Sequence, residues 1–107
     1  IIKKMLTKNK KITSIICSTE FSALSAIKAC NYLNLEIGKD ISIITFDGPL
    51  VKDLSSPPLT AISFPVQELG KRAIKILLKG HSNKNNYSNF QAKSEIIERG
   101  SVHQVRE

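Results

Sequence analysis

The stretch from Ile12 to Phe46 constrains the fold of this chain more than any other feature. Ile12, Ile15, Ile16 and Cys17 form a short, nearly continuous apolar run, broken only by Thr13 and Ser14. Runs of this kind suit strands buried on both faces of a parallel sheet. Ser18 and Thr19 then offer hydroxyls that can cap a helix, and Glu20 places a negative charge where the helix dipole favours it. From about Glu20 to Leu33 the residues Ala23, Ala26, Ile27, Cys30 and Leu33 recur on one helical face, while Ser25, Lys28 and Asn31 point elsewhere. Asn34 and Gly38 supply stop signals. A second buried run, Ile41 to Phe46, follows. Strand, helix and strand within about 35 residues make a βαβ unit, with parallel strands and a right-handed crossover.

The remainder extends the same architecture. Asp47-Gly48-Pro49 breaks the second strand, and Leu59 to Phe64 alternates as a third. Pro65 sits well at the first turn of the next helix. Val66, Leu69, Ala73, Ile76 and Leu77 recur there at offsets of three and four, Glu68 and Arg72 form an i,i+4 pair, and Gly80 ends the helix. His81 to Lys93 reads as a long polar loop, and Ser94 to Arg99 as a last short strand. At the other end, Ile1 to Leu6 reads as the tail of an amphipathic helix whose beginning is missing. The chain is therefore expected to be a C-terminal piece of something longer. The expected fold class is a partial, three-layer α/β/α fold around a parallel sheet.

In open parallel sheets, ligands bind beyond the carboxyl ends of the strands. Ser18-Thr19-Glu20 follows the first strand and Asp47-Gly48 the second, so both clusters fall on one edge. An aspartate there can accept charge-assisted hydrogen bonds from a polyhydroxylated ligand. The competing reading of Asp47 is a turn-former capping its own loop, as Asp before Gly often does. Catalytic equipment is sparse: His81 and His103 lie in the polar loop and the tail, where solvation is expected. No nucleophile has an orienting partner, and no glycine-rich phosphate loop follows a strand. Neither a cofactor nor a metal site is expected.

The formal charge of +7 invites a nucleic-acid reading. Five of the basic residues fall at Lys3, Lys4, Lys8, Lys10 and Lys11, and the rest are scattered over helix faces and loops. No helix-turn-helix, zinc-ligand spacing or aromatic-interleaved basic patch is visible, so a solvated lysine-rich surface is the expectation. Cys17 and Cys30 read as buried free thiols, which fits a reducing compartment. No apolar run approaches the roughly 20 residues of a membrane span.

Four segments in series resemble the LacI/GalR transcriptional regulators. Ile15 to Ala26, reading IICSTEFSALSA, is similar to their strand-plus-helix pattern C-A-N-D-x-M-A-L-G-A. Ile41 to Gly48, ISIITFDG, resembles V-S-V-V-G-F-D-D. Ser55 to Leu78 is similar to x-x-P-P-L-T-T-V-x-Q-P-x-x-E-L-G-x-x-A-x-x-L-L, and Ser94 to Val102 to the terminal P-E-L-V-V-R-x-S. The resemblance implies a periplasmic-binding-protein-like (type I) effector domain of two lobes, with a sugar or related small effector in the cleft. It implies a homodimer acting on operator DNA through an N-terminal helix-turn-helix that this sequence lacks, in the cytoplasm, with no membrane partner. Residues 12–64 would belong mostly to the C-terminal lobe, and 65–80 to a helix of the other lobe. Residues 81–93 would form a loop, and 94–107 the last strand and tail. The family's effector-contacting Asp falls on Asp47. Thr19 stands where the pattern has Asn, Gly48 replaces a second Asp, and Phe64 replaces a polar residue near the lobe crossing, so the pocket is less polar than usual. Leu24, Lys28 and Leu54 fall where family dimers make contact. A sugar-binding protein of an import system shares the fold and is the alternative reading.

One consequence concerns the helix after Pro65. If its usual partner is absent, its apolar face is expected either to fold back on the sheet or to meet the same helix of a second copy.

Overall fold

The computed structural model describes residues 1–46, 55–80 (backbone alone at 79 and 80) and 90–104. The chain divides into two compact units, one comprising Ile1–Ser63 with Ile96–Glu107, the other Phe64–Glu95.

The first unit is built on the expected βαβ. β1 (Ser14–Cys17) runs parallel to β2 (Ser42–Phe46), with Ser14 opposite Ser42 and Cys17 opposite Thr45. β3 (Thr60–Ser63) continues the sheet in parallel, Ile44 opposite Thr60 and Phe46 opposite Ile62. β4 (Glu95–Ile97) follows β3, giving the order β1-β2-β3-β4. Ile41 falls outside β2 and pairs with Ile37 in an isolated bridge.

α2 (Glu20–Tyr32) crosses between β1 and β2 and buries Ala23, Ala26, Ala29 and Cys30. Small side chains let the helix axis approach the sheet, and the core beneath it is Cys17, Ile37, Ile41, Ile43 and Leu59. α1 (Ile2–Lys8), the expected helical segment at the start of the chain, packs on α2 and buries Leu6. Asn34 takes a left-handed conformation (φ 55°) just past α2, and Gly38 another (φ 81°). A Cβ on Gly38 would run into the carbonyl oxygen of Gly100, so that turn needs glycine twice over.

β1 departs from expectation. Its apolar run suits burial on both faces, yet Ile16 is 74% exposed while its neighbour Cys17 is buried. The run of isoleucines is continuous in sequence, but only the face beneath α2 is covered here. β2, flanked by β1 and β3, keeps the doubly buried character: Ile43 and Thr45 are fully buried.

The C-terminal tail fastens the sheet. Ser101 is fully buried one residue before the first β2–β3 pair. Its hydroxyl donates to Ile43 O (2.6 Å) and accepts from Thr60 N–H (2.8 Å). Its carbonyl accepts from Ile43 N–H (3.0 Å). Arg99 donates from Nη1 to Leu59 O (2.7 Å) and from its backbone N–H to Thr60 Oγ1 (3.0 Å).

In the second unit, α3 (Val66–Gly80) forms over the expected span. Arg72 lies over the Phe90 ring, 3.7 Å from its centroid. Among the side chains described on α3 none is buried: Val66 and Leu77 are each 71% exposed.

Candidate functional site

β1, β2 and β3 are parallel and paired in register, so their carboxyl ends, Cys17, Phe46 and Ser63, lie along one edge of the sheet. This is where the sequence placed its polar clusters, and the described residues there can be taken one at a time.

Thr19 is the N-cap of α2, in the extended conformation a cap requires (φ −144°, ψ 157°). Its hydroxyl accepts from Ser22 N–H (3.2 Å), and its own N–H donates to Ser22 Oγ (3.1 Å). Reciprocal bonds of this kind satisfy two otherwise orphaned donors at the helix start. Ser22 replaces the longer Glu or Gln usual at this place, and its hydroxyl also donates to Thr19 O (2.7 Å). Thr19 is exposed at the sheet edge while it caps the helix.

Asp47, the leading ligand candidate, follows directly on Phe46 but lies outside the described residues, as do Gly48 and Leu54. Phe64 follows Ser63 and opens the second unit. It is 45% exposed and, with Pro65, Val66, Gln67, Glu68 and Lys71, lines an open cleft of about 520 Å³.

Leu24 and Lys28 both lie on α2 away from its buried face. Leu24 is half-buried and Lys28 exposed. Lys28 also lines a cleft of about 580 Å³ between α1 and α2, with Ile2, Lys3, Ser25, Ala29 and Tyr32.

Two features were not foreseen. Thr45 Oγ1, opposite Cys17 near the strand ends, is fully buried with no hydrogen-bond partner among the described residues. In sequence it reads as one more strand residue, and no signal marks it. His103, expected to be solvated, is half-buried: its Nδ1 lies 3.0 Å from Ser42 Oγ, and its backbone N–H donates to the same oxygen (3.2 Å). The cause is the tail, which Ser101 pins to β2 and so carries His103 onto Ser42. His81 lies outside the described residues.

The two thiols behave as expected. Both are free and buried. Burial pushes the Cys17 thiol above its ordinary pKa, with the Ser22 hydroxyl working the other way, and burial likewise raises Cys30. They are poor nucleophiles at neutral pH. Among the described residues no helix is long and apolar enough to cross a membrane.

A family model for the periplasmic binding protein-like domain matches residues 3–102. The chain is 35% identical over 105 residues to the HTH-type transcriptional repressor PurR of Aliivibrio salmonicida, covering 97% of this chain and 32% of that protein. It is 31% identical over 106 residues to the ribose operon repressor of Haemophilus influenzae, covering 98% and 32%. Among solved structures, a LacI family transcriptional regulator from Bifidobacterium animalis subsp. lactis superposes with a TM-score of 0.86 at 25% identity, over 98% of this chain and 39% of that one. The chain thus spans about a third of the length of these curated relatives. The parallel sheet, the crossover helix and the matched span together identify a partial type I periplasmic-binding-protein-like fold. The chain belongs to the LacI/GalR family of transcriptional regulators, in which it forms part of the effector-binding domain.

Proposed function

We propose that this segment senses a small effector, a sugar or a related polyhydroxylated molecule, and joins two copies of a DNA-binding repressor. The observation that carries the reading is the shared edge of three parallel strands, with Asp47 directly after the central one. A carboxylate that follows a strand end can accept hydrogen bonds from ligand hydroxyls, and the neighbouring strand is followed by a helix start that Thr19 already caps. Asp47 is the principal contact, Thr19 offers its hydroxyl, and Phe64 provides an apolar wall against a sugar's hydrocarbon face.

In this reading residues 12–64 belong mostly to the C-terminal lobe and 65–80 to a helix of the other lobe. Operator DNA is contacted by a helix-turn-helix outside this segment, in the cytoplasm. Leu24, Lys28 and Leu54 contribute to the homodimer surface. The segment itself carries no catalytic role.

The test uses a protein that carries the complete effector domain. After a thermal-shift screen of sugars has identified a ligand, Asp47→Ala should weaken its binding roughly 10- to 100-fold, the effect of losing one charge-assisted bond. Calorimetric titration giving an unchanged affinity would sink the assignment of Asp47.

A further inference from the structure

α1 and the turn behind it carry five lysines, Lys3, Lys4, Lys8, Lys10 and Lys11, and from Ile1 to Thr19 no residue is acidic. All five are exposed, and none is ion-paired to a carboxylate among the described residues. Lys3 is committed to its own chain, its Nζ 3.2 Å from the centroid of the Tyr32 ring. In sequence such lysines read as a solvated surface. In the structure they stand on a fixed frame.

α1 is anchored by Leu6, which is buried, and by Ile2, which packs against the same core. At about 100° per residue, Lys4 and Lys8, two positions before and after Leu6, both project from the opposite side of the helix. They lie one turn apart, where like charges repel. Beyond Lys8 the backbone is tied down. Asn9 N–H donates to Met5 O (2.9 Å), and Lys11 N–H donates to Asn9 Oδ1 (3.0 Å). Lys10 and Lys11 are thus carried on a hydrogen-bonded turn that leads into β1. Four like charges on ordered backbone repel one another, and no carboxylate of the described residues offsets them. A negatively charged partner would.

The residue types select that partner. A membrane-surface helix needs a broad apolar face to insert. α1 spends its apolar residues on α2, and between Lys3 and Lys11 the one large apolar side chain left exposed is Met5. The segment holds lysine and no arginine from Ile1 to Thr19. An ammonium on a flexible stem meets phosphates as a point charge and demands no fixed geometry, which suits contact without sequence reading. Duplex DNA is the densest line of such charge, one for about every 1.7 Å of axis. A transcriptional regulator works on DNA, so even a weak patch gains from the local concentration of phosphate.

We propose that Lys4, Lys8, Lys10 and Lys11 form a surface that binds the phosphate backbone of duplex DNA without regard to sequence. This contact is additional to operator reading by a helix-turn-helix outside the segment, and it is independent of the effector.

The test is made on this chain, by fluorescence anisotropy with a short labelled duplex of mixed sequence. Binding should be present at low salt and indifferent to the sequence of the duplex. Plotted logarithmically against salt concentration, the association constant should fall with a slope of about −3.6, roughly −0.9 for each lysine. That is a loss of roughly 150-fold between about 50 and 200 mM salt. Lys8→Gln with Lys10→Gln should weaken binding at least about 10-fold at low salt and reduce the slope by about two. Lys75→Gln with Lys93→Gln removes the same charge from exposed sites elsewhere and should change the affinity by less than about 2-fold. No binding at low salt, an unchanged slope in the first pair, or equal weakening by the second would overturn the proposal. Capture by phosphatidylserine vesicles without binding to the duplex would assign the lysines to a membrane surface and overturn it as well. Because no effector is present and every substituted lysine is exposed, failure here is separable from failure of the Asp47 assignment.

Discussion

α2 and α3 are helices of similar length, 13 and 15 residues, with opposite relations between pattern and burial. α3 has the stronger amphipathic stripe: Val66, Leu69, Ala73, Ile76 and Leu77 against Glu68, Lys71, Arg72 and Lys75. None of its described side chains is buried. α2 has the weaker stripe, because its buried residues are alanines and a cysteine while its outer face carries Phe21 and Tyr32. Its inner face is nonetheless fully covered, Ala23, Ala26 and Cys30 each at 0%. Periodicity states which face of a helix gains by burial. Whether that face is buried depends on what lies opposite, and for α2 the opposing surface is the sheet supplied by the same βαβ unit. For α3 the stripe states a demand that the described residues leave unanswered.

The sharpest way to break this contrast is to truncate one apolar side chain in each region. Ile43→Ala, at a fully buried site on β2, should destabilise the first unit by about 2–5 kcal/mol in urea unfolding, through lost transfer energy plus the cavity. Leu77→Ala, at a residue 71% exposed, should change stability by less than about 0.5 kcal/mol. Comparable losses at the two positions would mean that α3 buries its face in solution.

A smaller effect is expected at Ser101. Its replacement by alanine removes no apolar contact but leaves Thr60 N–H and Ile43 C=O without their buried partner. The expected cost is about 2 kcal/mol, from the desolvation of groups left unpaired. Hydrogen exchange should accelerate at Thr60 N–H, and unchanged protection there would show that the relay through Ser101 is dispensable.

The smallest effect at neutral pH comes from the thiols of the first unit. The folded-state pKa values of Cys17 and Cys30 lie above the ordinary thiol value of 9.0. The folded chain therefore holds its thiol protons more tightly than the unfolded chain. This contribution is constant below about pH 9, and it falls away as pH rises through the raised folded-state values. Cys17→Ala with Cys30→Ala should flatten the alkaline loss of stability in unfolding curves at pH 8 to 10. An equally steep decline in the doubly substituted chain would place its origin elsewhere.

Much of the fold was legible because it rests on local patterns. The βαβ unit announced itself through two isoleucine runs and a capped helix, each signal lying within a few residues of the structure it specifies. Helix ends were legible for the same reason: Thr19 needed only its neighbour Ser22, and Asn34 only its own left-handed backbone. The expected position of the site rests on a strand-end rule and a family pattern that both point to Asp47, which lies outside the described residues. The site was not legible in detail, because Thr45 became an orphaned hydroxyl only when the sheet and α2 closed around it.

By itself the sequence determined the order and type of the elements, the parallel pairing of β1 with β2, and the inward face of α2. Periodicity, turn chemistry and crossover handedness act over short separations and need no knowledge of the rest. Tertiary structure decided which apolar faces are covered. It left Ile16 exposed beside buried Cys17, sealed Ser101 between β2 and β3, and brought His103 onto Ser42 across 61 residues of chain. The reason is physical: burial and hydrogen-bond partnership are properties of pairs of surfaces, and the sequence writes each surface without naming its partner.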